Sequence, residues 1–329
     1  MKNKVLITGG AGFIGSHLVE DLLEMGKEVV VLDDFSGGFM DNLDDRLEFV
    51  NGSITDVKMV DDLFEKNNFE VVYHLAAYAA EGLSHFIRNF NYTNNLIGSV
   101  NLINASVRSK VKCFVFTSSI AVYGSGQVPY TEETIPCPED PYGIAKLAVE
   151  MDLKAACEMF DLNYVVFRPH NVYGERQNLG DKYRNVIGIF FNQILQNKPL
   201  TLFGDGLQQR AFTYVKDITP VIAQSGYKQN VYGEVFNVGS DRPYTVGDLA
   251  DYVISISNSL VGKKYLSARN EVVVAYSSHK KVEKFFGVQL ETPLEKGLNT
   301  MWEWVTKHGS RVSSEFENIE ITEKLPDGW

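Results

Sequence analysis

The stretch LITGGAGFIG at residues 6–15 places four glycines between an apolar, strand-like start and an apolar, helix-like continuation. Gly9, Gly12 and Gly15 have the spacing G-x-x-G-x-x-G at this strand-to-helix turn. Glycines at such a turn let backbone N–H groups and the positive end of a helix approach a pyrophosphate. A tight turn without a ligand can carry the same glycines, so the stretch indicates a dinucleotide site without establishing one.

Asp33 adds the second part of a dinucleotide-binding pattern. It ends the second predicted strand, about 20 residues after the glycines, where a carboxylate accepts hydrogen bonds from ribose hydroxyls and repels a 2′-phosphate. Asp34 follows directly, and the nearest arginine is Arg46. The sequence therefore predicts NAD rather than NADP as the cofactor.

Apolar strands alternate with amphipathic helices over the first half of the chain. The strands are continuous apolar runs, which is typical of a parallel sheet buried on both faces. The first helix carries Ile14, Leu18 and Leu22 on one face and is expected to end near Gly26. This order predicts an α/β fold with a Rossmann-type doubly wound parallel sheet. The predicted strands cover residues 4–8, 28–33, 46–50, 70–76, 112–119 and 163–168.

The pattern changes near residue 170, where longer loops separate short, scattered strands and helices. We therefore predict an NAD-binding Rossmann domain over residues 1–170 and a smaller α/β substrate-binding domain over residues 171–329. Segments near residues 211–239 look sheet-like and are expected to return to the first domain. Thr245 and Asp248 have the spacing of a capping box, which predicts a helix start.

Composition and charge exclude several classes of protein. The 329 residues are 44% hydrophobic, the net charge is −11, and no run of lysine and arginine exceeds two residues, which argues against nucleic acid as a partner. The start, MKNKVLITGG, lacks an apolar signal segment, and no apolar run approaches about 18 residues, so no membrane association is expected. Cys113, Cys137 and Cys157 lack metal-ligand spacing, which predicts reduced thiols, no metal site and a cytoplasmic location. The polar tail at residues 315–329 has no predicted role.

A second group of residues carries side chains suited to proton transfer. TSS at residues 117–119 ends a predicted strand, at the edge where open parallel sheets bind ligands. Tyr142 and Lys146, in YGIAK, are four residues apart and share a helix face, so the ammonium can stabilise a phenolate that accepts a hydroxyl proton. The alternative, in which Tyr142 packs in the core and Lys146 is solvated, stays open at this point.

Seven motifs taken together resemble the extended short-chain dehydrogenase/reductases and, among them, the nucleotide-sugar 4-epimerases. The resemblance covers nearly the whole chain. The motifs are TGGAGFIG (8–15), HLAA (74–77), TSSIAVYG (117–124), YGIAK (142–146), RPHNVYG (168–174), FGDGLQQRAFTYVKD (203–217) and FNVGS (236–240).

The resemblance implies roles for individual residues. Ser119 would hydrogen-bond the reacting 4-hydroxyl of the sugar, Tyr142 would act as the base, and Lys146 would also hold the nicotinamide ribose. The implied NAD contacts are Gly9, Gly12, Phe13, Ile14, Asp33, Ser53, Ile54, Leu75, Ala76, Ala77, Asn95, Ser118, Tyr142, Lys146 and Pro169. The implied substrate contacts are Ser119, Asn171, Arg184, Asn185, Thr201, Phe203, Arg210, Arg269 and Tyr276.

The resemblance also implies a reaction, the NAD-dependent 4-epimerisation of a UDP-hexose through a transient 4-keto sugar. A 4,6-dehydratase would carry an Asp–Glu pair after the serine or threonine, where this chain has Ile120 and Ala121. Tyr276, at a gate position, favours UDP-glucose and UDP-galactose over their N-acetylated forms. Arg184 and His170 could instead approach a C6 carboxylate, which keeps UDP-glucuronate as an alternative substrate.

Two further expectations concern the class of protein and its assembly. Some proteins with this fold bind a dinucleotide as non-catalytic sensors, but the serine, tyrosine and lysine together favour an enzyme. Membership of the family implies a homodimer, formed through the helices that contain residues 85–108 and 141–160.

Overall fold

The computed structural model describes residues 4–181, 183, 185–268, 273–289, 291–309 and 316–326. Strands and helices alternate along the first half of the chain, as the apolar runs predict. The strands are β1 (Lys4–Thr8), β2 (Glu28–Asp33), β3 (Glu48–Asn51), β4 (Phe69–His74), β5 (Cys113–Thr117), β6 (Tyr164–Pro169), β7 (Val172–Tyr173), β8 (Leu200–Phe203), β9 (Gln209–Ala211), β10 (Thr213–Tyr214), β11 (Glu234–Val238), β12 (Pro243–Thr245), β13 (Lys263–Leu266) and β14 (Val274–Ala275).

The helices connect these strands. A π-helical stretch, Thr93–Ile97, joins the third and fourth of them. The helices are α1 (Phe13–Glu24), α2 (Val57–Lys66), α3 (Arg88–Tyr92), α4 (Gly98–Arg108), α5 (Pro141–Phe160), α6 (Val186–Leu195), α7 (Val215–Ser225), α8 (Val246–Ser257), α9 (Lys280–Phe286) and α10 (Leu294–His308). In the part of the chain that the structure describes, no helix is both long and apolar enough to cross a lipid bilayer.

A seven-stranded sheet in the order β11-β6-β5-β4-β1-β2-β3 runs through the described residues. All of its pairings are parallel; Val5 of β1, for example, lies between Val29 of β2 and Val71 of β4. The order reverses at β1, which is the strand order of a doubly wound Rossmann-type sheet. The predicted fold class is confirmed, and the predicted strands agree with the observed ones to within two residues.

Side chains along each strand alternate between two apolar layers. Val5 and Ile7 of β1 face the layer that contains α1 and α7, and this layer continues into the core around α6, α8 and α10. Leu6 of β1 and Val30 of β2 face the opposite layer, which contains α2, α4 and α5. Because both faces are covered, the strands are apolar throughout, which is why the sequence pattern identified them.

After residue 170 the described chain forms short sheets rather than one continuous sheet. They have the orders β10-β7, β12-β9-β14 and β13-β8. β11 joins the large sheet as its seventh strand, whereas Thr213 and Tyr214 of β10 pair with β7 instead. The predicted capping box is confirmed, since the Thr245 hydroxyl accepts from the backbone N–H of Asp248 at the start of α8.

Candidate active site

A cleft runs across the carboxyl ends of the central parallel strands. Every predicted NAD contact except Asn95 lines it, from the glycine turn to Pro169 at the end of β6. Ser119, Asn171 and Asn185, which the sequence analysis assigns to the substrate, line the same cleft. The sheet therefore gathers the groups predicted to bind cofactor and those predicted to act on substrate in one place.

The glycine turn between β1 and α1 is built for close approach of the backbone. Gly9 has a φ of +74°, and a Cβ at this position would lie 2.7 Å from the amide nitrogen of Ala76. A Cβ at Gly15 would lie 2.1 Å from the carbonyl oxygen of Gly9. Gly12 stands at the start of α1 and brings no side chain to its N-terminus. The turn thus leaves room at a helix N-terminus for a pyrophosphate.

Asp33 is fixed at the edge of the cleft by backbone hydrogen bonds. Its Oδ2 accepts from the amide of Ala11 at 3.0 Å, and its Oδ1 accepts from the amide of Phe35 at 2.8 Å. Burial raises the pKa of this carboxyl, and the amide hydrogen bonds oppose that rise. An oriented carboxylate beside a glycine turn suits the ribose hydroxyls of a dinucleotide, so the residues present fit NAD.

Tyr142 and Lys146 enter the cleft from the first turns of α5. Asp140 caps this helix by accepting from the amides of Tyr142 at 2.9 Å and Gly143 at 3.0 Å, and Pro141 follows in the first turn. The ammonium of Lys146 donates to the carbonyl oxygen of Thr117 at 2.8 Å and lies 5.8 Å from the centroid of the Tyr142 ring. The solvated position that the sequence left open for Lys146 is wrong, because this side chain is buried.

The charge of Lys146 depends on its surroundings. Burial lowers the pKa of Lys146 to about 7, and the negative charge of Glu150, one helical turn farther along, acts in the opposite direction. Ser119 lies two residues after the end of β5, where its hydroxyl accepts from the amide of Ala121 at 3.1 Å. A hydroxyl, a phenol and a titratable amine thus line one cleft, which is the chemical requirement for moving a proton to or from a sugar hydroxyl.

Sequence reasoning missed a buried ion pair behind these groups. Arg168 donates from Nε to Oε1 of Glu150 at 3.0 Å and from Nη2 to Oε2 at 2.5 Å, and both side chains are 7% exposed or less. The hydroxyl of Ser118, a predicted NAD contact, donates to Oε1 of Glu150 at 2.5 Å. Tyr142, Lys146 and Glu150 follow one another at intervals of four residues, and that spacing was the signal available in the sequence.

Asn95 does not line the cleft but holds one of its walls. Its Oδ1 accepts from the amide of Tyr78 at 2.8 Å, and its Nδ2 donates to the carbonyl oxygen of the same residue at 3.0 Å. Tyr78 lines the cleft. In this structure Asn95 therefore fixes the backbone beside the site, and its predicted contact with NAD stays a prediction.

The remaining predicted substrate contacts are not gathered in the cleft, as far as the described residues define it. Thr201 and Phe203 lie on β8, and Arg210 lies on β9, where its Nη1 donates to the carbonyl oxygens of Gln209 at 2.9 Å and Val273 at 3.1 Å. Tyr276 follows β14, and its carbonyl oxygen accepts from the amide of Tyr130. Two further predicted contacts, Arg184 and Arg269, lie outside the described residues.

His170 lines the cleft, but both of its ring nitrogens are in contact with other groups of the protein. Its Nδ1 lies 3.1 Å from the carbonyl oxygen of Ala211, and its Nε2 lies 3.0 Å from Nε2 of His279, whose Nδ1 is 2.5 Å from a carboxylate oxygen of Asp241. Burial, together with the charge of His279, lowers the pKa of His170 to about 3. The ring is therefore neutral at physiological pH, and both of its nitrogens are engaged inside the protein.

Comparisons with known proteins agree with this geometry. The UDP-glucose 4-epimerase of Mycolicibacterium smegmatis is 36% identical over 244 residues, which cover 72% of this chain and 77% of that protein. The structure of a UDP-glucose 4-epimerase with UDP-glucose from Thermotoga maritima is similar with a TM-score of 0.89 and 34% identity, covering 93% of this chain and 99% of that one.

A third similarity concerns an enzyme for a different sugar. The structure of a UDP-glucuronic acid 4-epimerase from Bacillus cereus, in complex with UDP-glucuronic acid and NAD, has a TM-score of 0.85 and 30% identity, covering 93% of this chain and 99% of that one. The model of the NAD dependent epimerase/dehydratase family matches residues 5–239, from β1 through β11. The chain therefore belongs to the NAD dependent epimerase/dehydratase family, and its cofactor is NAD.

Proposed function

We propose that this protein is an NAD-dependent 4-epimerase of UDP-hexoses that interconverts UDP-glucose and UDP-galactose. The observation that carries the proposal is the joint placement of Ser119, Tyr142 and Lys146 in the cleft that also contains the glycine turn and Asp33. Relatives named as enzymes of nucleotide-sugar epimerisation support the same class of substrate. A non-catalytic sensor would have no need of this set of proton-transfer groups beside its dinucleotide.

Each side chain of the site has its own role in proton transfer. Tyr142 takes the proton of the sugar 4-hydroxyl as a phenolate, which the ammonium of Lys146 stabilises from the same helix face. Ser119 hydrogen-bonds the reacting oxygen. The glycine turn and Asp33 would hold NAD, which would supply reversible hydride transfer at C4 of the sugar. Glu150 keeps the charged form of Lys146 available through its negative charge.

Two residues next to Ser119 support epimerisation over dehydration. Elimination of water from the sugar needs a general acid and a general base beside the reacting carbons. Ile120 lines the cleft and Ala121 is buried next to it, and neither side chain can transfer a proton. The described site therefore offers groups for moving the 4-hydroxyl proton without a second acid–base pair at these positions.

UDP-glucuronate is the second candidate substrate, because a solved UDP-glucuronic acid 4-epimerase is similar to this chain over most of its length. The hydrogen bonds of His170 weaken this candidate. Both nitrogens of its neutral ring already have partners within the protein, so no N–H is left to bind a carboxylate. Arg184, the other predicted carboxylate contact, lies outside the described residues. We therefore keep the UDP-hexose as the first choice.

The deciding experiment is incubation of the purified protein with UDP-glucose and with UDP-glucuronate, each with and without added NAD. Chromatography and NMR then identify the products. Conversion of UDP-glucose to UDP-galactose supports the proposal, whereas conversion confined to UDP-glucuronate contradicts the choice of sugar. UDP-N-acetylglucosamine, as a third substrate, tests the predicted gate at Tyr276, because it should be converted more slowly than UDP-glucose.

We also propose that two copies of the chain form a dimer through α5 and the neighbouring helices. Ile144, Met151 and Met159 on α5 are 40%, 66% and 73% exposed, and Ile97 beside α4 is 51% exposed. A second copy that covers this stripe would remove the apolar surface from water. Light scattering should give the mass of a dimer that Met151→Asp converts to a monomer; a monomeric wild type contradicts the proposal. We also propose a cytoplasmic location, as the cysteine pattern predicts.

A further inference from the structure

The C-terminal segment, defined here as residues 316–321, packs against α3 and the residues just before it. The amides of Glu320 and Ile321 donate to the carbonyl oxygen of Phe86 at 2.9 and 3.1 Å. The carboxylate of Glu320 accepts from the amides of Asn89 and Phe90, both at 2.7 Å. Both carboxylate oxygens of Glu320 therefore accept hydrogen bonds from backbone amides that are about 230 positions earlier in the chain.

Phe316 adds an apolar contact to these hydrogen bonds. Its ring centroid lies 5.4 Å from that of Tyr78 and 4.9 Å from that of Phe90, and its amide donates to the hydroxyl of Tyr183 at 3.3 Å. These rings, with Ile319 and the buried Leu83, form an apolar cluster that is separate from the two layers around the central sheet. The cluster has its own packing, so the segment supports it independently of the main core.

The same aromatic residues form a wall of the active-site cleft. Tyr78, Phe90 and Tyr183 line the cleft, and Phe316 packs behind them. Aromatic side chains packed this closely hold each other's orientation, because ring pairs at these separations prefer defined geometries. A change at Phe316 would therefore alter the position of groups that face the cleft, although Phe316 itself does not line it.

Hydrogen bonds tie this wall to the start of the helix that carries Tyr142. The amide of Tyr142 donates to the hydroxyl of Ser84 at 3.2 Å, and that hydroxyl donates to the capping carboxylate of Asp140 at 3.3 Å. Asn91 donates from Nδ2 to the carbonyl oxygen of Pro141 at 2.9 Å. The wall supported by the C-terminal segment thus stands beside the base, at the reacting end of the cleft.

We propose that the C-terminal segment positions the sugar-binding wall of the active site, with Phe316 and Glu320 as positioning residues. The inference rests on the proposed function, because it assigns this wall to the hexose of the substrate. NAD binds through the glycine turn and Asp33, which the segment does not contact among the described residues. Removal of Phe316 or Glu320 should accordingly weaken the sugar contacts and leave cofactor binding unchanged.

Phe316→Ala and Glu320→Ala test the proposal, and Glu323→Ala, an exposed carboxylate of the same tail, is the matched control. We expect the KM for UDP-glucose to rise about tenfold in both test variants, because a displaced wall no longer holds the sugar in its reactive position. The NAD content and the affinity for UDP without a sugar should match those of the wild type. Phe316→Leu, which keeps an apolar side chain, should recover most of the loss.

Two results of these kinetic and binding measurements would overturn the inference. A wild-type KM in both test variants would mean that the segment does not position the sugar. An equal loss of NAD, of UDP affinity and of sugar affinity would mean that the segment only stabilises the fold, and the thermal midpoint of each variant would show it.

Failure of the proposed function would give a different pattern. A wild type that converts no UDP-hexose contradicts that function directly, and hydrogen exchange of the NAD-bound protein then tests the support itself. In Glu320→Ala, exchange should rise at the amides of Asn89 and Phe90 and also at those of Tyr142 and Gly143, if the link through Ser84 and Asn91 holds. A rise confined to Asn89 and Phe90 would show that the segment does not reach the active site, which overturns the inference.

Discussion

The cofactor side of the cleft and the predicted nucleotide-sugar residues on β8 and β9 are organised in different ways. Gly9, Asp33, Leu75 and Ser118 stand at the carboxyl ends of four different strands of one parallel sheet and meet in one cleft. Thr201 and Phe203 lie on a two-stranded sheet, and Arg210 lies on a three-stranded one, outside that cleft as the described residues define it. The first group is assembled by the sheet itself, whereas the second is spread over separate short sheets.

The difference shows which kind of site a strand pattern can predict. In a parallel sheet, pairing alone places the carboxyl ends of all strands at one edge, so residues that follow the strands come together. Strands of two to four residues, such as β14 and β8, carry no such rule, because their positions are set by tertiary contacts. The predictions below test whether the two groups also differ in what they bind.

The largest effect is expected at Tyr142, the proposed base. Tyr142→Phe removes the phenolic proton acceptor but keeps the ring that packs in the cleft, so conversion should fall by about a thousandfold, within the usual range for an acid–base group. NAD should stay bound, because the glycine turn and Asp33 are unchanged. The measurement is the rate of UDP-glucose conversion together with the NAD content of the purified variant.

The control for this change is Tyr252→Phe, which removes the hydroxyl of a partly exposed tyrosine on α8 and should leave the rate unchanged. Full activity in Tyr142→Phe would contradict the proposed mechanism. Loss of NAD in the same variant would show that cofactor binding and proton transfer are not separable on this side of the cleft.

The buried ion pair behind the base should matter for stability. Glu150→Ala leaves Arg168 charged, buried and without its carboxylate, which should lower the free energy of unfolding by about 3–5 kcal/mol. Glu158→Ala on the same helix is the control, since its pair with Lys154 is 4.0 Å long and 70% exposed at both side chains. That change should cost less than about 1 kcal/mol. Urea unfolding measures both, and equal losses would contradict the argument.

The pH profile of Glu150→Gln is a smaller and more specific test. Burial lowers the pKa of Lys146 to about 7 and Glu150 opposes this effect, so removal of the negative charge should lower the pKa of Lys146 further. Because the ammonium form is lost as the pH rises through this pKa, the fall in activity should begin at a lower pH in the variant. Rate profiles of the two proteins between about pH 5 and 9 measure the shift. Superimposable profiles would mean that Glu150 does not act through Lys146.

Much of the structure of the first half of the chain could be predicted, because short stretches of its sequence identify the strands and the residues that follow them. The glycine turn, the carboxylate at the end of β2 and the helix spacing of Tyr142 and Lys146 can each be recognised within a few residues of sequence. The partners that surround these groups are not local. Arg168 of β6 binds Glu150 of α5, and His279 contacts His170 from 109 residues later in the chain.

Glu320 contacts α3 across a sequence separation of 231 residues, and the sequence of the polar tail has no periodicity that would predict this contact. The pairing of β10 with β7, rather than with the large sheet, is decided by two residues on each strand. Local patterns therefore predicted side chains that line the cleft, whereas the groups that hold them in place depend on tertiary contacts.

The last prediction asks whether the scattered residues of the second half bind the nucleotide at all. In this structure the guanidinium of Arg210 donates to the carbonyl oxygens of Gln209, on its own strand, and of Val273, just before β14. If it turns to the pyrophosphate when UDP-glucose binds, Arg210→Ala should weaken UDP-glucose about tenfold through the loss of a charge-assisted hydrogen bond. The NAD content should not change. This result would show that the residues of the cofactor side and those on β8 and β9 bind different ligands. Arg242→Ala, an exposed arginine whose guanidinium lies over Tyr244, is the control and should bind UDP-glucose like the wild type. Calorimetric titration measures each affinity, and an unaltered affinity in Arg210→Ala would mean that the residues of the central sheet and its cleft bind the substrate without this arginine.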